Sequence, residues 1–298
     1  MNILLLGKDG QVGHALQALL PALGKVTAWD QQDVDFLDLE GLREKLATVK
    51  ADVIINAAAY TAVDRAQTDA STAHCINASA VKVLAAHAAH AGALFVHYST
   101  DYVFDGEKPS PYVESDQTNP QSEYGKSKRA GELAALGSGC KALVFRTSWV
   151  FSSHGGNFIK TILRLAAERE SLNVVADQIG APTSARLIAE TTVRAIPVAH
   201  SGTLPPGLYH LTAAGHTSWH GLASYVVSRA ANNGAVLKLQ ADHIQPIPTE
   251  AYPLPAPRPK NSRLDTTFLQ DLLKFEFPAW REDVARVVDE LTLSRTQT

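Results

Sequence analysis

An α/β fold, a doubly wound parallel sheet with a second, smaller α+β domain, is what three features of this 298-residue chain predict. The first is an apolar run, Asn2-Ile3-Leu4-Leu5-Leu6, that stops at Gly7 and leads through Gly10 and Gly13 into a helical pattern. The second is rhythm: short apolar runs at 25–29, 52–56, 94–98 and 143–146 alternate with helix-length segments, as βαβ units do. The third is the loss of that rhythm beyond Trp149. The expected boundaries are 1–150 for a Rossmann-type nucleotide-binding domain and 151–298 for a mainly substrate-binding domain. A segment near 184–212 is expected to return to the first.

Composition narrows the function classes. With 45% hydrophobic and 19% charged residues and a formal net charge of −3, the chain has the balance of an ordinary globular protein. That balance offers no whole-protein attraction to nucleic acid or to an anionic membrane. No apolar run approaches the ~20 residues a membrane span needs. The N-terminus has no basic region or cleavage site and reads as a strand, not as a signal peptide. Cys75 and Cys140 form no metal-ligand spacing and read as reduced thiols, so a cytoplasmic location is expected.

The glycine-rich turn comes first in the chain. Its spacing is Gly7-x-x-Gly10-x-x-Gly13, which lets the backbone turn tightly and approach a pyrophosphate at the helix N-terminus. Lys25 to Trp29 reads as a second strand ending at Asp30, a carboxylate placed to accept hydrogen bonds from an adenosine ribose. The same charge repels a 2′-phosphate, and Gln31-Gln32 supplies no arginine to offset it. NADH is therefore expected as the favoured cofactor over NADPH. Asp35 and Phe36 fit the edge of an adenine pocket, and residues 41–50 read as a helix. Asp52 to Asn56 is the next strand, ending in Ala57-Ala58-Ala59, small residues beside which a cofactor can lie.

A single alanine-rich helix is expected over 70–91, closed by Gly92. His87 and His90, like His216 and His220, have helical spacing but no carboxylate partner, so no metal site is assigned. Leu94 to Tyr98 is a strand whose carboxyl end carries Ser99-Thr100, where the ligand crevice of an open parallel sheet lies. Tyr124 and Lys128, four residues apart on a helix, share one face. An ammonium there is expected to pull the phenol down from its ordinary pKa of ~10, giving a proton donor for a carbonyl becoming an alkoxide. Further on, helices are expected at 158–170 and 184–196, a turn-rich loop at 177–183 and a strand at 207–212. The proline-rich stretch 244–263, with Arg258, Lys260 and Arg263, has neither helical nor strand pattern. It reads as an irregular loop, either lining a ligand site or simply solvated.

Gly7/Gly10/Gly13, Asp30, Asn56 to Ala59, Ser99-Thr100 and Tyr124/Lys128 come in the order of an extended short-chain dehydrogenase/reductase. His97 to Phe104, Arg146 to Val150, Asp177-Gln178 with Pro182-Thr183, and Arg258-Pro259 with Ser262-Arg263-Leu264 narrow this. Over essentially the whole chain the sequence resembles the dTDP-4-dehydrorhamnose reductase family. The resemblance implies reduction of dTDP-4-dehydro-β-L-rhamnose by NAD(P)H, the last step of dTDP-L-rhamnose synthesis for cell-surface polysaccharide. It makes Tyr124 the proton donor, gives Lys128 the nicotinamide ribose, and has Thr100 bind the sugar C4 carbonyl. Asp101, Tyr102, Trp149 and Arg258 would contact substrate. Gly7, Gly10, Gln11, Val12, Gly13, Asp30, Asp35, Phe36, Ala59, Tyr60, Thr61 and Tyr98 would line the cofactor. No metal is required for the chemistry. Some members of the family join as magnesium-linked homodimers through glutamates. Ala15 and Arg186 stand where such glutamates would fall, so a homodimer is compatible with the resemblance but its metal bridge is not predicted. Two rival functions share the fold: another nucleotide-sugar 4-ketoreductase or 4-epimerase, and a non-catalytic regulatory subunit.

Overall fold

The computed structural model describes residues 1–293. Its centre is a six-stranded sheet whose strands run, in spatial order, Gly207–His210, Lys141–Thr147, Leu94–Thr100, Val53–Asn56, Asn2–Leu6 and Lys25–Trp29, every neighbouring pair parallel. β1 is Asn2–Leu6, α1 Gln11–Leu19, β2 Lys25–Trp29, α2 Leu39–Ala47 and β3 Val53–Asn56. Alternation along β1 explains the double winding: Ile3 and Leu5 enter one buried cluster, Leu4 and Leu6 the other.

The segment 70–91 is not one regular helix. α3 is Ala70–His74 and α4 is Ala80–Ala91, with a π-turn at Cys75–Ser79 between them. The cause is Asn77, whose buried amide bonds outside the helix to the Tyr60 backbone and the Ser127 hydroxyl. Gly92 closes α4 with φ +68°, the left-handed cap the sequence predicts.

β4 is Leu94–Thr100, fully buried, and passes through one 3₁₀ turn at Asp101–Val103 toward α5, Glu123–Leu136, capped by the Ser122 hydroxyl. β5 (Lys141–Thr147), β6 (Val150–Phe151) and α6 (Phe158–Glu168) follow, the last capped by Asn157. Then come β7 (Leu172–Val175), β8 (Ile179–Gly180), β9 (Thr183–Ser184) and α7 (Ala185–His200). α7 packs beside α1 in the same core, and β10 (Gly207–His210) adds to β5 as the edge of the main sheet.

The remaining elements are β11 (Thr217–Ser218), α8 (Trp219–Asn232), β12 (Ile244–Ile247), α9 (Thr267–Leu273) and α10 (Trp280–Leu293). Three two-stranded ladders tie this part together: β6–β9, β7–β12 and β8–β11. β12 corrects the expectation that 244–263 lacks regular structure. Ile244 to Ile247 pairs in parallel with Leu172 to Val175, and Pro246 is tolerated because a two-stranded ladder has only edges. Among the described residues no helix is long and apolar enough to cross a membrane.

Candidate active site

The carboxyl ends of β1, β3, β4 and β5 face one crevice, and the predicted residues fall along it in two groups. At β1, Gly7 takes φ +82° and lies so close to β3 that a Cβ on it would stand 2.5 Å from the Ala58 nitrogen. A Cβ on Gly13 would stand 2.0 Å from the Gly7 carbonyl oxygen. Only glycine permits this turn, which brings the backbone at Gly10, Gln11 and Val12 to the N-terminus of α1. Ala59, Tyr60 and Thr61 follow β3 on the same edge, with the Tyr60 backbone clamped by Asn77. These groups fit a dinucleotide pyrophosphate.

Asp30 sits at the tip of β2, where the sequence places it, and it is not alone. Lys8, from the glycine turn, reaches between Asp30 and Asp33 at 2.9 and 2.7 Å. The lysine is the leading cause that holds Asp30 at a pKa of about 2 and Asp33 below its ordinary range. Gln31-Gln32 supplies no arginine, as the sequence reads; a compensating cation comes instead from the glycine turn after β1, brought in by strand pairing. Phe36 is buried in the core and Asp35 caps the Leu37 nitrogen nearby. Tyr98 is mostly core, its hydroxyl 2.8 Å from Thr192 on α7.

The second group gathers around Thr100. Its hydroxyl donates to Asp101 at 3.0 Å and accepts from the Tyr102 backbone, and the Tyr124 phenol lies near enough to feel it. Tyr102 meets Tyr124 edge to face, ring centroids 5.5 Å apart. Arg258 lies over the Tyr102 ring and pairs with Asp64 at 2.7 Å, a bond spanning 194 residues. Lys260 pairs with Asp177 and Glu250, and Arg263 binds the Pro109 carbonyl, so these two cations hold the loop together.

Tyr124 and Lys128 share the inner face of α5, as their spacing predicts, but the electrostatics differ from expectation. Burial pushes the Tyr124 phenol above its ordinary value; the nearby Thr100 hydroxyl works against that shift without cancelling it. Burial also lowers the Lys128 ammonium to about 8, opposed by Glu132. Desolvation, invisible in a Tyr-x-x-x-Lys spacing, is the leading cause at both groups. Burial likewise raises Asp101 to about 6, against the nearby Ser262 hydroxyl and the Thr100 hydrogen bond.

Sequence reasoning missed Asn77, Lys8, Asp64 and Glu132. Asn77 left a signal, since it is a polar residue on the alanine face that 73, 80, 84 and 88 bury. The other three depend on distant pairing. Trp149, two residues beyond the end of β5, adopts φ +48°, an unusual backbone for a bulky residue and worth about 1–3 kcal/mol of strain.

Among the described residues no group of three His, Cys, Asp or Glu could hold a metal ion. Ala15 and Arg186 line one shallow surface depression, and Arg186 is paired with Glu190 at 2.6 Å. Neither a methyl group nor a guanidinium is a metal donor, although His14, His154, Asp283 and Glu290 line the same depression.

Residues 1–293 match the family described as RmlD substrate binding domain. A dTDP-4-dehydrorhamnose reductase of Burkholderia thailandensis is 48% identical over 98% of this chain and 99% of its own. A crystal structure of a dTDP-4-dehydrorhamnose reductase from Clostridium acetobutylicum superposes with a TM-score of 0.90 at 35% identity, covering 98% of this chain and 99% of that one. The corresponding Bacillus anthracis enzyme, solved in complex with NADP, superposes with a TM-score of 0.86 at 33% identity over 97% and 99% of the two chains.

Proposed function

This chain belongs to the RmlD substrate-binding-domain family, and on that premise we propose that it is the enzyme reducing dTDP-4-dehydro-β-L-rhamnose to dTDP-L-rhamnose. The observation that carries the reading is Tyr124, beside the Thr100 hydroxyl and one turn from Lys128, in a chain 48% identical to a reductase of that name. A non-catalytic subunit has no use for that assembly.

The reduced nicotinamide supplies hydride to C4 of the sugar. Tyr124 gives its phenolic proton to the oxygen that becomes the hydroxyl, and its raised pKa keeps it in the donor form. Thr100 would turn its hydroxyl proton from Asp101 to the same oxygen and so fix the carbonyl. Lys128, held as a buried cation, stabilises the phenolate left behind until solvent returns the proton. Gly7, Gly10, Gln11, Val12 and Gly13 would hold the pyrophosphate, with Ala59, Tyr60, Thr61 and Tyr98 as further walls of the cofactor site. Asp30 would take the adenosine ribose, with Asp35 and Phe36 bordering the adenine. Asp101, Tyr102, Trp149 and Arg258 would line the sugar nucleotide.

Asp30 favours NADH, and Lys8 beside it offsets the repulsion of a 2′-phosphate, so NADPH is accepted too. Residues 1–150 with the returning segment near 184–212 would form the cofactor domain, and the rest the substrate domain. The homodimer that the resemblance allows would be held by protein contacts alone. We place the enzyme in the cytoplasm, where its two free thiols stay reduced. The test is loss of nicotinamide absorbance with dTDP-4-dehydro-β-L-rhamnose, with the product identified by chromatography. Oxidation yielding dTDP-L-rhamnose confirms the reaction. Its absence, from protein shown to bind NADH, turns the search to another sugar nucleotide.

A further inference from the structure

Trp149 leaves β5 two residues beyond Thr147, which stands in register with Thr100 on β4. Its backbone therefore leaves the sheet on the edge that carries Thr100, and the residue is half-buried. The indole lies on Gly180, where a Cβ would come within 2.6 Å of the ring, so that position admits no side chain. It also stacks on Trp219, centroids 3.6 Å apart and planes 12° from parallel. The β8–β11 ladder pairs Gly180 with Thr217 and so delivers both supports together, since Trp219 opens α8 just after β11.

Trp219 is itself fixed. Its indole nitrogen donates to Gln178 at 3.1 Å, Gln178 donates to Thr249, and Phe158 leans on the ring from 4.7 Å. A left-handed tryptophan with a built support points from strain to function.

We propose that Trp219 is a positioning residue for the sugar. Stacked behind Trp149, it holds that residue's left-handed backbone and presents its indole to the apolar face of the deoxyhexose. Trp219 touches no reacting atom and acts only through Trp149. The assignment rests on the sugar-nucleotide reductase function above.

The test compares Trp219→Ala, Trp149→Ala, the double variant and Trp219→Phe, in steady-state kinetics and in calorimetric binding of dTDP-L-rhamnose and dTDP. Trp219→Ala should weaken dTDP-L-rhamnose and raise the sugar KM about tenfold, with the NADH KM and dTDP affinity within about twofold. The double variant should be no worse than Trp149→Ala, because one residue acts through the other. Trp219→Phe, which keeps a ring to stack, should recover most of the loss. An unchanged sugar KM overturns the proposal, and so do single losses that multiply in the double variant. If Trp219→Ala does not fold, Trp219→Phe decides: equal loss of dTDP and dTDP-L-rhamnose affinity overturns it. A wild-type protein that binds neither ligand refutes the function on which the proposal rests, and the proposal falls with it.

Discussion

Lys128 and Glu132 lie one turn apart on α5, and both are withdrawn from solvent, at 2% and 0% exposure. The carboxylate is taken up by other groups: Arg146 binds it twice, at 2.7 and 2.8 Å, Arg129 at 2.9 Å, and the Ser99 hydroxyl at 2.6 Å. Lys128 is thus a buried cation set above an already neutralised acid, which leaves desolvation in control of its proton.

That arrangement fixes a pH dependence. Lys128 loses its proton as pH rises through about 8, so kcat/KM for the sugar nucleotide should be level below that point and fall above it. The stability effect has the opposite sense. The folded pKa lies below the ordinary 10.5, so between about 8 and 10.5 the unfolded chain binds more protons. The Lys128 contribution to stability therefore grows with pH across that window. Rate–pH profiles and urea melts at several pH values check the two signs separately.

Removing the phenolic oxygen should stop the reaction and spare the cofactor. Tyr124→Phe is expected to lower kcat at least about 100-fold with NADH affinity nearly unchanged, as measured by fluorescence titration. Loss of NADH binding in that variant would instead assign Tyr124 a structural role.

The Lys8 clamp should govern cofactor choice. Lys8→Met removes the cation that offsets Asp30, so kcat/KM for NADPH should drop about tenfold or more relative to that for NADH. Asp30→Asn should shift the ratio the other way, freeing Lys8 for a 2′-phosphate. Equal losses with both cofactors in Lys8→Met would show that the lysine merely shapes the turn.

Glu132→Ala should destabilise the fold by about 3–5 kcal/mol, because it leaves the Arg146 guanidinium buried without its counter-ion. Thermal or urea unfolding measures the cost. A variant as stable as wild type would mean that water reaches Arg146.

The sheet was largely legible because its central strands are buried and read as apolar runs, β3 and β4 above all. Tyr124, Lys128 and Thr100 were legible as a group because two lie on one helix face and the third ends a strand. Lys8 was not, since its partner Asp30 meets it only after Leu6 and Trp29 pair across β1 and β2. The Arg258–Asp64 bond joins parts of the chain that no local pattern connects. β12 was hidden by Pro246, whose penalty is removed by its place at an edge. The lowered phenol pKa failed for a different reason: spacing reports who is near, while desolvation depends on everything else that packs around them.

The π-turn at Cys75–Ser79 makes this stretch intolerant of changes in length in a way that the alanine-rich sequence conceals. Each residue of a regular helix turns the chain by about 100°. Losing one residue between 75 and 79 would let α3 and α4 fuse into a single smooth rod, with better local hydrogen bonding than the native kink. Since the π-turn already carries one residue more than an α-turn, the same change would leave Val81, Leu84 and Ala88 close to the sheet but withdraw the Asn77 amide from Tyr60 and Ser127. Many substitutions along α4 should be absorbed, whereas a one-codon deletion should be lost from any population selected for activity.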